Sequence, residues 1–396
     1  MKLSKIEKSV LICNAIEHLD TALYGFLAPI FAKLFFPQSN YLVQLLLTYS
    51  VLLSSAIIRP LGAYYFTRKV LNVPVLNCLK ITVIGTSFAT LLITCIPSYT
   101  SIGIFAPIIL VSSRLLLYFF VAGEMAISIV FLLDNNSQPY KISSYYEAST
   151  MIGIIIASGM SALAIYIDSW RWCFIVSASS GLIVYILRNT ATFIPSNTIV
   201  NKTVQKSTLL IVAIFINRLM NNITYAIPFI LMNTLIPIVN HNITLQEMLS
   251  YNTLLLIIDM LLLVGCIKIK FNIKPRLLIA YSYGFLGITM PFLMTYTDTI
   301  YHITAVRLVI IICGVIAGIA QNVYYDQLFQ NNSKNKYLYI GNAITLSDAI
   351  VGKSIPLLGI AFFHYTGSLS LIGVFIAIVS ILCIAINYFA KPIIVI

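Results

Sequence analysis

Charge is scarce in this chain. Only 9% of its 396 residues are Asp, Glu, Lys or Arg, against 60% hydrophobic. A soluble globular domain carries about 25% charged residues, so that class is excluded. The signatures of common enzymes are also missing. There is no GxSxG elbow, no HExxH, no Walker loop and no acidic cluster of the kind that holds Mg²⁺. An enzyme, and a pump driven by ATP within this chain, are therefore not expected. The seven cysteines (Cys13, Cys78, Cys95, Cys173, Cys266, Cys313 and Cys383) make no CxxC pair and lie almost all in apolar runs. They read as small core residues, with no disulfide framework, no metal site and no cofactor implied.

What the chain has is length in apolar runs. A mean hydropathy of +0.96 and repeated stretches of about 20 apolar residues identify an all-α polytopic membrane protein. A β-barrel would alternate every second residue instead. Twelve spans are expected. Six are near Ser9–Phe36, Tyr41–Phe66, Val75–Ile96, Ile102–Leu133, Ile142–Ile167 and Trp170–Ile194. Six more are near Thr208–Ile236, Met248–Ile267, Leu277–Thr295, His302–Leu328, Leu338–Phe363 and Leu369–Ala390. The first apolar run is too long and too acidic for a cleaved signal segment. Residues 1–195 and 208–396 form two six-helix bundles joined by a polar linker at 196–207. Such halves read as repeats about an axis along the membrane normal, with substrate held between them near mid-membrane.

The net charge of +12 reflects orientation, not nucleic-acid binding, because the basic residues are spread over short loops. One set of loops holds most of them, including Lys2, Lys5, Lys8, Arg68, Lys69, Lys141, Arg188, Lys268, Lys334 and Lys336. The opposite set holds Lys33 and Arg171. This bias puts both termini and the linker in the cytoplasm.

The stretch Asn14–Pro37 carries the strongest signal. Glu17, His18 and Asp20 sit near the start of an otherwise apolar helix, and Glu17 and Asp20 share a face. A carboxylate near the centre of a membrane helix costs about 2.5–3.5 kcal/mol. The pair either lies at the interface, solvated and inert, or lines a wet path and binds a proton or a cationic group. Other charges fall inside spans: Arg59, Arg114, Glu124, Arg218, Asp348 and Lys353, with Asp259 lacking any visible partner. Arg114 and Glu124 are ten residues apart, about 15 Å along a helix, too far to pair directly. Each such charge is either a satisfied structural group or part of a substrate or ion path. Pro29, Pro60, Pro107, Pro228, Pro237 and Pro356 are expected to kink or interrupt helices. Gly153 and Gly159 suit close helix contact.

These residues resemble the metabolite:proton symporter family of the major facilitator superfamily, most nearly its proline/betaine osmolyte members. Asn14, Glu17, Asp20, Tyr24, Gly25, Phe26, Ala28, Pro29, Phe35, Phe36 and Pro37 match the family's opening pattern, with His18 in place of an aromatic. Arg59–Ala63 resembles its RPLGG. Arg114, Phe119, Gly123 and Glu124 resemble its RxxQGFxxGGE, with Leu117, Tyr118 and Ala122 replacing the Gln and two Gly. Trp170–Arg171, Tyr185, Arg188, Asn222–Tyr225 and Pro237 also match. The resemblance implies the major facilitator fold and proton-coupled uptake of a small metabolite across a bacterial inner membrane, driven by a proton gradient. Glu17, Asp20 and Glu124 would bind protons or substrate cations, and Arg59 and Arg114 would neutralise them or hold a carboxylate. A zwitterion such as proline or glycine betaine is the first substrate to expect, a dicarboxylate or keto acid the next. One motif departs. The superfamily's GxxxDRxGRR between the second and third helices reads TRKVLNVPV at 67–75, without the Asp or the paired arginines. Either the gate is held differently, or the chain is a degenerate, non-transporting sensor or scaffold.

Overall fold

The computed structural model describes residues 3–37, 41–190, 208–269, 271–295, 298–329, 333–352 and 354–390. The expected linker lies outside the described residues, and so does Lys353. Among the described residues the regular structure is helical throughout, with no strand. In chain order the helices are α1 (Lys5–Phe26), α2 (Ala28–Phe35), α3 (Tyr41–Leu53), α4 (Ser55–Lys69), α5 (Val75–Thr94), α6 (Tyr99–Ile102), α7 (Phe105–Asp134), α8 (Pro139–Tyr166) and α9 (Arg171–Asn189). Then come α10 (Thr208–Ala226), α11 (Met232–Val239), α12 (Leu245–Cys266), α13 (Pro275–Leu293), α14 (Ile300–Leu328), α15 (Ser333–Ser347), α16 (Ile355–Thr366) and α17 (Ser370–Phe389). π-helical turns at Ile227–Leu231 and Asp348–Gly352 join α10 to α11 and follow α15.

Nine helices among the described residues are long and apolar enough to cross a membrane. The other three expected spans are interrupted. The first divides at Leu27, because Pro29 has no N–H to give the carbonyl four residues back. The second divides at Ser54, between α3 and α4. The eleventh passes through the π turn Asp348–Gly352 before α16 opens with a proline in its first turn. Pro228 lies within the other π turn. Prolines and polar groups thus mark the segments where backbone bonding changes register, and such turns gather at functional sites.

Two units emerge. Residues up to Leu132, together with those from Ser149 to the end of α9, form one; Leu133–Ala148 and the residues from α10 onward form the other. In the first unit, Leu23, Tyr24, Leu27, Phe31 and Phe35 of α1 and α2 meet Ile93 of α5, Leu117 and Val121 of α7, and Trp170 and Phe174. Phe31 makes an edge contact with Trp170, ring centroids 5.0 Å apart. Arg171 caps α5, donating from Nε to the Thr94 carbonyl (3.1 Å) and from Nη2 to the Ile96 carbonyl (3.0 Å). In the second unit, Asn217 and Asn387 exchange reciprocal amide bonds of 2.7 and 2.8 Å between α10 and α17. Asn322 of α14 donates to Ser143 (2.9 Å) and Glu147 (2.8 Å) at the start of α8.

Two cations expected in loops are instead buried. Arg188 closes α9 inside the first unit. Lys336 of α15 pairs with both Asp134 and Asp326 in the second. Burial pulls the Lys336 ammonium down, but the two carboxylates outweigh it and hold the group above its ordinary value. In each case the carboxylate partner compensates the loss of water.

The two glycines expected at helix contacts behave differently. A Cβ on Gly153 would lie 2.1 Å from the Ala15 carbonyl oxygen, so α8 and α1 touch there; Gly159 faces open space. The helices α4 and α7 also touch at Gly62, where a Cβ would meet the Phe119 carbonyl oxygen at 2.2 Å. Gly62→Val and Gly153→Val should each cost about 1–3 kcal/mol through forced helix separation. Gly159→Val should melt with wild-type protein. Thermal melting of purified protein checks this, and equal melting of all three variants would contradict the packing.

Candidate functional site

Glu17, Asp20 and Tyr24 follow one another at spacings of three and four along α1, which aligns them on a single stripe. All three are buried. Asp20 is well served: its carboxylate accepts from Thr90 Oγ1 of α5 (2.9 Å) and Ser177 Oγ of α9 (2.5 Å). Glu17 is not. Neither of its oxygens receives a hydrogen bond from the described residues. The charged groups acting on it are Glu124, Arg59, Arg188 and Asp20.

Glu124 of α7 is 1% exposed and Arg188 is fully buried. Arg188 forks onto it, Nη2 to Oε1 at 2.5 Å and Nη1 to Oε2 at 3.1 Å. Thr82 Oγ1 (2.5 Å) and Ser128 Oγ (3.1 Å) complete the carboxylate's shell. Arg188 also donates to the Leu79 carbonyl. Glu124 is thus closed off by four donated bonds, while Glu17 beside it is open. Ligand atoms of Cys13, Glu17 and Glu124 lie within 4.8 Å of one another. A metal ion there would have to share Glu124 with a guanidinium already bonded to both oxygens, so the group fits a proton better than a cation.

Arg114 of α7 is fully buried, and none of its three nitrogens has a hydrogen-bond partner among the described residues. Its guanidinium lies 4.0 Å from the centroid of the Tyr24 ring and 5.6 Å from that of Tyr118. Arg59 of α4 sits 5.5 Å from the same Tyr118 ring, with its Nε unbonded. The Tyr118 hydroxyl is also buried and unpartnered. Two guanidinium groups therefore approach one tyrosine with donor capacity to spare. Cation–π contact offsets part of the burial cost but leaves the N–H groups unsatisfied.

Two candidates in the second unit, Arg218 and Asp348, satisfy each other. Arg218 of α10 donates side-on to Asp348, Nε to Oδ1 at 2.9 Å and Nη2 to Oδ2 at 3.2 Å. Asn222 adds a bond to Oδ1 at 2.9 Å. The sequence brings these groups together across 130 positions, and the π turn beginning at Asp348 sets the carboxylate toward α10. Asp259 is buried on α12 and has no ion pair among the described residues. Arg307 of α14, which no sequence motif marked, is fully buried too.

No family model matches the chain. Over 198 residues it is 29% identical to the proline/betaine transporter of Escherichia coli (strain K12), a stretch covering 48% of this chain and 40% of that one. Over 185 residues it is 29% identical to the citrate-proton symporter of Klebsiella pneumoniae, covering 44% of this chain and 42% of that one. The matched stretch is thus less than half of each relative's length. In structure it is similar to the proton:xylose symporter XylE, which is a major facilitator superfamily protein. The TM-score is 0.74 at 13% identity, over 97% of this chain and 95% of that one. The chain has the major facilitator fold. Its sequence likeness within that superfamily is to proline/betaine transporters and a citrate symporter, in agreement with the resemblance read from α1. These relatives are transporters.

Within this major facilitator fold the Arg188–Glu124 pair is a buried ion pair whose breakage leaves a charge alone. Arg188→Gln and Glu124→Gln should each destabilise the protein by about 3–5 kcal/mol. Replacing both residues together by Met and Leu should recover much of that loss. Melting of the three variants in detergent decides the matter, and single variants as stable as wild type would show that the pair carries no such weight.

Proposed function

We propose that this chain is a secondary active transporter of a bacterial inner membrane, with twelve spans and both termini in the cytoplasm, taking up a small zwitterion together with a proton by alternating access. The observation that carries the reading is Arg114, fully buried with three nitrogens unbonded, beside the stripe of Glu17, Asp20 and Tyr24. A buried guanidinium without acceptors is costly and is relieved by a bidentate carboxylate. A substrate carboxylate on Arg114 would supply the acceptors. The cationic end of the same molecule would face the Tyr24 and Tyr118 rings and the α1 carboxylates, the combination that recognises ammonium and quaternary nitrogen.

Glu17 is the proton's place. It receives no hydrogen bond, so neutralising it removes a buried charge with no bond to lose. Glu124 serves as the counter-ion of Arg188 and, through its closeness to Glu17, makes the second negative charge harder to hold. Asp20, held by two hydroxyls, keeps the stripe negative for the substrate cation. Arg218 and Asp348 close on each other and are assigned a structural role in the second unit, which substrate would have to open to use. Lys353, outside the described residues, keeps its standing as a candidate charge.

A dicarboxylate is the second reading. Arg59 and Arg114, both within 6 Å of the Tyr118 ring centroid, provide for two carboxylates, and a citrate-proton symporter is among the relatives. The relatives matched lend nothing to a non-transporting sensor or scaffold.

Reconstituted protein should take up proline or glycine betaine faster under an inward proton gradient. Glu17→Gln should lose that dependence, with uptake falling at least tenfold, while still binding substrate. Citrate taking the place of the zwitterions in the uptake panel would select the second reading. Absence of gradient-dependent uptake for every member of the panel would end the symport proposal.

A further inference from the structure

Among the described residues, buried cations have visible compensation, with one exception. Arg188 has Glu124, Arg218 has Asp348, and Lys336 has Asp134 and Asp326. Arg59 and Arg114 have tyrosine faces. Arg307 of α14 has neither carboxylate nor ring among the described residues. It is fully buried, its Nε and Nη1 have no hydrogen-bond partner, and Nη2 donates to the Asn252 side-chain carbonyl of α12. Asp259, two turns further along α12, does not pair with it; seven residues correspond to about 10 Å along a helix.

We infer that Arg307 and Asn252 form an anion site in the second unit that takes a small monovalent anion, a carboxylate or chloride. A full positive charge with one neutral hydrogen bond, shielded from water, is costly to hold, and an anion on its free N–H groups relieves that cost. Asn252 is the second element of the site. Its carbonyl fixes the guanidinium, which leaves its amide N–H groups as additional donors, and it is only half-buried, which gives an anion a way in. The geometry echoes Arg114. Each arginine lies in the first third of a long helix, 30 residues in α7 and 29 in α14, and each is buried with donor capacity unspent. The two differ in what surrounds them. Arg114 faces rings and carboxylates suited to a zwitterion, whereas Arg307 faces only an amide, which suits a simple anion. The site is independent of the transport reading, since it needs neither Arg114 nor Glu17.

The test is thermal melting of the full-length protein in detergent at constant ionic strength, exchanging sodium isethionate, whose anion is bulky, for sodium chloride or sodium acetate. Chloride or acetate should raise the melting temperature by several degrees and saturate, as binding to the folded state requires. Chloride acting alone identifies an inorganic anion, and acetate acting alone a carboxylate. Both anions are also tested in an Arg114→Gln background, which removes the carboxylate site proposed above, and Arg307→Gln added to that background should abolish the response. Should Arg307→Gln fail to fold, Asn252→Ala serves in its place, with the half-saturating anion concentration expected to rise severalfold. No saturable stabilisation in the Arg114→Gln background, or the same response there once Arg307→Gln or Asn252→Ala is added, overturns the site.

Discussion

A buried charge without water must find an opposite charge, a set of dipoles or a bound ion, and the interior of the first unit is organised by that requirement. The fork of Arg188 on Glu124, backed by Thr82 and Ser128, meets it with an opposite charge and leaves Arg188 Nε as the one nitrogen of that guanidinium without a partner among the described residues. Asp20 meets it with two hydroxyls. What remains is unmet in a specific way: a carboxylate without donors at Glu17 and a guanidinium without acceptors at Arg114. On the proposal above, the closed pair is structural and the open pair is what binds.

The second unit distributes its polar groups differently. Arg218 and Asp348 satisfy each other, Asn217 and Asn387 satisfy each other, and Gln321 ties the Asn217 carbonyl and the Tyr325 hydroxyl into one network. These bonds join α10 to α14, to α17 and to the π turn at Asp348. A π turn costs regular hydrogen bonding, and a bidentate ion pair at its first residue fixes where that cost is borne.

Much of this was legible in the sequence. Apolar run length placed the helices, and the prolines at 29, 228 and 356 marked interruptions that the structure contains. Carboxylates within an apolar helix singled out Glu17 and Asp20 because their cost is large and local. Partnerships were not legible, because they are non-local: Glu124 meets Arg188 across 64 positions and Arg218 meets Asp348 across 130. Arg188 and Lys336 read as loop charges because each sits at the margin of an apolar run, where sequence alone cannot distinguish a snorkelling end from a buried one. Arg307 lies inside the span expected at His302–Leu328 but matches no motif, so nothing set it apart, and among the described residues nothing acidic pairs with it in the fold. Gly159 read like Gly153, since a small residue on a helix does not say whether a neighbour approaches.

The central claim is that Arg114 is held in reserve for the carboxylate of a zwitterion. Comparing the binding of glycine betaine with that of choline, which carries the same quaternary nitrogen without a carboxylate, isolates that one interaction. Wild-type protein should prefer glycine betaine by roughly a hundredfold, the worth of a charge-assisted bond near 3 kcal/mol, and Arg114→Gln should bring the two ligands within a few-fold of each other. An undiminished preference in Arg114→Gln would mean that the carboxylate is bound elsewhere, and the account would fail.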